Sequence, residues 1–410
     1  KCLKYKQFTT KMNIRSMPID YQQIYTRIKE IGVASKERKK KKEEARALAR
    51  KLFTQYSSEL DSLRSKVDSA KQIDSNIRCA VPLDENLASS FGIDDSVIQA
   101  TLIAADGSQI NPDRHASIQF GLINVGAITM KLNSGETPQI VTDTELLFGD
   151  DLLPNGIPMS EGLVALKRDF AERSALDKLS KDIKGDIVTF TDGPIELWSA
   201  KGEDAHSYAE YSQKYLGVLS RLQSRGIITA GYVDKPSADL VVRLLEIMMA
   251  DNEQIQKLRE FHPLRSVSDR WLFGEKENPL LKAGHRSAIF KIQSSSEKIY
   301  TGVLELYFFY LNVGTDSKPY PVRVEVPKWV VDDKNKLNLL HAVLVQQCKM
   351  MGSRPYPYLL HRAHETAVVK QEEKYQIEQM LGQELRNNNE ETDSDSNKQS
   401  AKNLQGRTRR

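Results

Sequence analysis

Leu102-Ile103-Ala104-Ala105-Asp106-Gly107-Ser108 and Phe190-Thr191-Asp192-Gly193-Pro194 are the two stretches that decide how this chain is read. Each closes an apolar, strand-like run with an Asp-Gly pair, so Asp106 is expected to end a first strand and Asp192 a fourth. Taken singly, either pair is equally an ordinary turn whose aspartate bonds its own backbone. Between them a helical pattern over 159–181 carries Glu172, within Arg168-Asp169-Phe170-Ala171-Glu172-Arg173. Three carboxylates gathered at one end of a sheet repel one another and raise each other's pKa unless cations neutralise them. Their natural use is to hold Mg or Mn through oxygen, two ions clamping the attacking water and the leaving oxygen of a phosphodiester.

Working outward, the first stretch belongs to a series of apolar runs over 97–105, 116–130 and 139–147, separated by Gly, Asn, Pro and Ser. These read as three consecutive strands. After the Glu172 helix come a strand over 186–190, a helix over 205–225, a strand over 226–233 and a helix over 237–249. The order βββ-α-β-α-β-α predicts an α/β protein with a mixed sheet, three antiparallel strands extended by parallel strands, and flanking helices. In such a sheet ligands collect at the carboxyl ends of the strands, where both aspartates are expected. Further strands are expected over 287–292, 300–311 and 320–326, then helices over 336–350 and 358–385.

Ahead of this lies a strongly charged helical segment with a basic run over 36–42, followed by Glu43 and Glu44. The run is a solvated helix face or a contact for DNA or a partner. The organisation expected is a helical extension over 1–95, a catalytic domain over 96–385 and a disordered polar tail over 386–410. With 410 residues, 40% hydrophobic and 28% charged, the chain has ample core material. A net charge of +4 permits nucleic-acid binding without arguing for it. Cys2, Cys79 and Cys348 form no CxxC pair, which suits a reducing, cytoplasmic setting. No apolar stretch is long enough to span a membrane, and the basic residues 1–15 lack the apolar core of a signal peptide.

Several other residues are candidates. His361 and His364 share a helical face in Tyr356-Pro357-Tyr358-Leu359-Leu360-His361-Arg362-Ala363-His364-Glu365. Glu365 follows the second histidine, so this is not the HExxH pattern of a zinc protease. His364 is a metal ligand, a water-positioning group or a structural histidine; His361 and His341 are weaker candidates. Asp234 and Lys235, in Gly231-Tyr232-Val233-Asp234-Lys235-Pro236, are a further ligand and a phosphate contact or simply a strand-to-helix turn. Asp143 and Glu145 are weaker still, and the aromatic run Tyr307-Phe308-Phe309-Tyr310 suits a buried strand as well as base stacking.

The Asp106 and Asp192 blocks, Glu172 and the closing Tyr-Pro…Ala-His-Glu segment, in this order over about 96–375, resemble the NurA nucleases. That resemblance implies an RNase H-like fold and a Mn-dependent (or Mg-dependent) nuclease, with two ions held by Asp106, Glu172, Asp192 and His364. It implies exonuclease action, 5'-to-3', and endonuclease action on single strands, in DNA end processing. It also implies a homodimer and a HerA-type hexameric ATPase as partner, with Lys235 and Arg362 as possible DNA contacts. A tyrosine expected near the site in that family receives no assignment from the sequence. Two other readings compete: a non-catalytic DNA-docking subunit of such a translocase, and a phosphate-binding ATPase of the actin and hexokinase type. The second needs a duplicated domain with Gly-rich phosphate loops, and no Walker pattern is present.

Overall fold

The computed structural model describes residues 19–93, 98–197 and 205–388. The basic beginning over 1–15, nearly all of the polar tail and position 97 lie outside the described residues.

Three helices lead the chain: α1 (Tyr21–Val33), α2 (Ser35–Gln55) and α3 (Leu60–Ile73). Asp20 caps α1 by accepting from the Gln22 and Gln23 backbone N–H groups, yet α1 buries no residue. The basic run lies on α2 and is paired along the helix, Lys41 with Glu37 at 2.8 Å and Lys39 with Glu43 at 3.8 Å. It is a solvated face. Farther along, Leu52 and Phe53 of α2 and Leu63 and Val67 of α3 are buried in the same core as the sheet. From Ala49 onward the charged segment is thus part of the protein body.

Among the described residues one sheet of nine strands forms the centre: β1 (Cys79–Pro82), β2 (Thr101–Ile110), β3 (Gly121–Lys131), β4 (Gln139–Leu147), β5 (Ile187–Asp192), β6 (Ile228–Val233), β7 (Phe290–Gln293), β8 (Leu306–Asn312) and β9 (Pro321–Pro327). Their order is β1-β7-β8-β9-β6-β5-β2-β3-β4. β2, β3 and β4 are antiparallel, while β5 and β6 run parallel to β2, as the βββ-α-β-α-β pattern predicts. β9 then joins β6 antiparallel and carries β8, β7 and β1 with it. The connecting helices are α4 (Glu161–Leu179), α5 (Ala205–Ser224), α6 (Leu240–Met249), the short α7 (Asn252–Gln256) and α8 (Asp269–Phe273), then α9 (Lys328–Val331), α10 (Lys334–Lys349), α11 (Tyr358–Ala367) and α12 (Gln371–Asn387).

Four sequence expectations are corrected. Asp106 does not end its strand, because β2 continues to Ile110 with Asp106 paired to Gly126 of β3. Gly107 is therefore no turn residue, whereas Gly193, at φ +89, is. The single helix expected over 358–385 is two, and the strand expected from 300 begins at Leu306 after a short 3₁₀ turn over Gly302–Leu304. β1 is a strand with no counterpart in the expected order.

Burial removes other candidates. Tyr307, Phe308, Phe309 and Tyr310 are all buried, with Phe308 stacked on Phe290 at 5.4 Å between ring centres, so they offer no face to a base. Cys79 and Cys348 are free and buried, and burial pushes both thiols up to about 12, which makes neither a reactive thiolate. No helix among the described residues is long and apolar enough to cross a membrane.

His341 on α10 has a structural role. Its Nε2–H donates to the Gly284 carbonyl at 2.8 Å, and burial lowers the imidazole from 6.5 to about 4. Between those values the unfolded chain binds a proton that the folded protein refuses. This contribution to stability is complete above 6.5 and is lost as pH falls towards 4, about 3 kcal/mol in all. His341→Gln, whose amide can still donate to Gly284, is expected to flatten the pH dependence of the melting temperature in that window; an unchanged slope rejects the assignment.

Candidate metal-dependent nuclease site

The register of the sheet sets the site. The parallel ladder between β2 and β5 stops at the pair Ala105 and Thr191, so the next residue on each strand, Asp106 and Asp192, stands at the same level. Paired residues share a face of the sheet. Asp106 and its partner Gly126 face α11, whereas Gly107 faces α4.

Glycine is required on both faces. A Cβ at Gly107 would lie 2.7 Å from Glu172 Oε1 and 2.7 Å from Arg168 Cγ, so its absence admits Glu172 from α4 to the strand beside Asp106. A Cβ at Gly126 would lie 2.6 Å from the Ala363 carbonyl oxygen, so α11 rests directly on the backbone of β3. From that seat His364 reaches across, its Nδ1 2.7 Å from Asp106 Oδ2.

Ser108, two residues after Asp106, anchors the same helix. Its hydroxyl donates to the Ala367 carbonyl at 2.5 Å and accepts from Val369 N–H at 3.2 Å, while Asn124 Nδ2 donates to the same carbonyl at 2.8 Å. These contacts satisfy the end of α11 and separate it from α12.

On the neighbouring strand, the turn after Asp192 is fixed from two sides. Gly193 N–H donates to the Tyr232 carbonyl at 2.8 Å. The fully buried Glu325 of β9 accepts from Ile195 N–H at 3.0 Å and Glu196 N–H at 3.4 Å while pairing with Arg323 at 3.0 Å. Gly231 lets this turn pass, since a Cβ there would lie 2.6 Å from the Gly193 carbonyl oxygen.

The Tyr356 hydroxyl donates to the Asp192 carboxylate, and its ring packs edge-on against Tyr232 at 5.5 Å. Tyr356 is the residue the sequence reading missed. It stands at the head of the Tyr-Pro segment containing His364, and its position beside the first candidate histidine helix was the available signal.

The electrostatics fit a site made for a cation. Burial, then the Asp106 charge, push Asp192 up to about 6, against the pull of the Tyr356 and Gly193 hydrogen bonds. Burial raises Glu172 well above the ordinary carboxylate range, helped by Asp169 and Asp106, while Arg168, 3.3 Å away, opposes the shift. Hard carboxylate oxygens with one imidazole are the donor set for Mg or Mn. As the side chains stand, no group of three or more His, Cys, Asp or Glu among the described residues is close enough to hold an ion. The structure pairs Asp106 with His364 and sets Asp192 and Glu172 within electrostatic reach of Asp106.

The remaining candidates lie apart or are otherwise engaged. Asp234 accepts from the Tyr320 hydroxyl at 3.1 Å and Lys235 is exposed beyond β6. Arg362 and His361 both contact Glu365 on the surface of α11. Asp143 and Glu145 lie on the outer strand β4, paired with Lys178 at 3.1 Å and Lys167 at 3.3 Å.

With this geometry in place, the comparisons with known proteins can be read. The NurA domain family model matches residues 100–369. Among solved structures, the NurA nuclease from Sulfolobus solfataricus is 12% identical with a TM-score of 0.46, the match covering 82% of this chain and 94% of that one. The catalytic domain of human Endonuclease V is 14% identical with a TM-score of 0.31, covering 78% and 98%. LC9-RNase H1 is 11% identical with a TM-score of 0.22, covering 36% and 67%. No curated protein matches the chain. The family match spans the sheet from β2 to β9 and the helix carrying His364, so this chain belongs to the NurA family.

Proposed function

We propose that the chain is a divalent-metal-dependent DNA nuclease whose ions are held by Asp106, Glu172, Asp192 and His364. The observation that carries this reading is the end of the β2–β5 ladder at Ala105 and Thr191, which sets Asp106 and Asp192 level with each other. Glu172 approaches from one face and His364 from the other.

Each residue has a distinct task. Asp106 and Asp192 present ionised oxygens, and the Tyr356 hydroxyl fixes the orientation of the Asp192 carboxylate. Glu172, 3.3 Å from Arg168, would supply a third oxygen from α4. His364 holds Asp106 through Nδ1 and keeps Nε2 to hold an ion, its side chain being 60% exposed. Mn or Mg bound by these residues would supply charge neutralisation for the phosphoryl oxygens and an acidified water. Lys235 and Arg362 are candidates for backbone phosphate contacts.

The substrates are single-stranded DNA and duplex ends, with 5'-to-3' digestion in end processing beside a HerA-type hexameric ATPase. A homodimer accords with α1, where Tyr21, Ile24, Ile28 and Ile31 lie exposed at helical spacing. The ATPase reading is not favoured, since all the described strands lie in one sheet rather than in two duplicated ones.

The test is cleavage of an end-labelled single strand by the purified full chain. Mn or Mg is expected to support cleavage, EDTA to abolish it and ATP to leave it unchanged. Absence of cleavage of both single strands and duplexes with either ion would overturn the reading.

A further inference from the structure

A cavity of about 510 Å³ lies outside the carboxylate site, between α4, α5 and the outer strands β3 and β4. Lys167, Lys178, Lys181, Lys214 and Arg221 line it. Only three carboxylates, Asp143, Glu145 and Asp177, share the lining. The cations therefore outnumber the acids. Lys167 and Arg221 are held by Glu145 and Asp177 in partly buried pairs, whereas Lys178 with Asp143, each 64% exposed, and Lys214 with Glu210, each 47% exposed, are paired at the rim, where an ion pair contributes little and is readily exchanged for another anion.

The walls add a second kind of recognition. Phe170 of α4 and Tyr211 of α5 meet edge to face at 6.0 Å, and Ile123 and Val125 of β3 form an apolar floor. In the same wall the Ser174 hydroxyl oxygen is buried without a hydrogen-bond partner. An unpaired buried hydroxyl is costly, and a ligand oxygen or nitrogen entering the cavity would satisfy it.

Aromatic edges over an apolar floor suit a nucleobase, and a lysine-rich rim suits its phosphate. The size lies within the range of small-ligand pockets, so it admits a single unstacked base and not a duplex. The catalytic residues do not line the cavity, although α4 contributes to both: Phe170 and Ser174 turn to the cavity while Glu172 turns to Gly107.

We propose that this cavity is a second nucleotide-binding site that holds one base and its phosphate of a single DNA strand, one α4 face away from the catalytic carboxylates. The proposal rests on the DNA nuclease reading above. It makes α4 a two-sided element, with one face for chemistry and the other for gripping the strand.

The experiment measures binding of a labelled single strand to the full chain by fluorescence anisotropy as salt is varied. An Asp106→Asn background prevents cleavage during the measurement. Adding Lys181→Gln and Lys214→Gln, both on the cavity rim, is expected to weaken binding about tenfold and to lower the slope of log affinity against log salt by about 0.7, the one single-strand phosphate contact being lost. Binding of a blunt duplex of the same sequence is expected to change little. A strand carrying 5-iododeoxyuridine is expected to crosslink to Tyr211 or Phe170, read by mass spectrometry of the α4 and α5 peptides. Circular dichroism and melting confirm that the variant is folded. An unchanged salt slope, an equal loss for duplex, or adducts confined to other peptides would each overturn the proposal while Mn-dependent cleavage by the unaltered chain keeps the nuclease reading. Failure of the unaltered chain to bind or cleave any DNA rejects both.

Discussion

Asp192→Asn is expected to lower metal-dependent DNA cleavage by about a thousandfold or more while leaving the protein folded. The asparagine keeps the shape of the aspartate and can still accept from the Tyr356 hydroxyl, but it removes one of the charges that would hold the ion on the proposed reading. That charge is worth several kcal/mol to the transition state, at about 1.4 kcal/mol per factor of ten. The metal-free protein is expected to tolerate the change, because burial and Asp106 already push Asp192 up to about 6. Single-turnover cleavage of an end-labelled strand, with a thermal melt of the same sample, measures both halves. Unimpaired cleavage by the variant would remove Asp192 from the site.

Glu325→Ala is expected to destabilise the protein by about 3–5 kcal/mol, the usual effect of removing one partner from a buried ion pair. The Arg323 guanidinium would lose its carboxylate at 3.0 Å, and the Ile195 and Glu196 N–H groups would lose their acceptor. Since these are the amides that hold the turn after Asp192, cleavage is expected to fall along with stability. Urea unfolding reads the first effect and the end-label assay the second. A loss below about 1 kcal/mol would mean that other contacts hold the turn.

The sequence carries the sheet pattern better than the details of the site. The βββ-α-β-α-β order follows from runs of apolar residues broken by Gly, Asn and Pro, and those local signals survive folding. The Asp106-Gly107 pair misleads because its local preference is for a turn, while pairing with Gly126 on β3 keeps it extended. β1 is invisible for the opposite reason. It is four residues long, and its partner lies more than two hundred residues later, Cys79 pairing with Gln293.

Long-range contacts also explain the split last helix. No glycine or proline separates α11 from α12; the break comes from Ser108 and Asn124 taking hold of the Ala367 carbonyl. Likewise the role of Gly107 as the space for Glu172, and of Tyr356 as the partner of Asp192, requires the sheet register and the seat of α11. The identities of Asp106, Glu172, Asp192 and His364, and their gathering at one end of the sheet, were legible as expectations; the contacts that position them were not.

The pairing of β1 with β7 sets an order of events during synthesis. Cys79 finds its partner only when Gln293 has been made, and closing so long a loop precedes the reward of the contact. Until then the apolar sides of α2 and α3, including Phe53, Leu63 and Val67, lack the body against which they pack. α2 and α3 therefore leave the ribosome long before β7 and are sheltered late, which makes them the segment that a chaperone would have to cover.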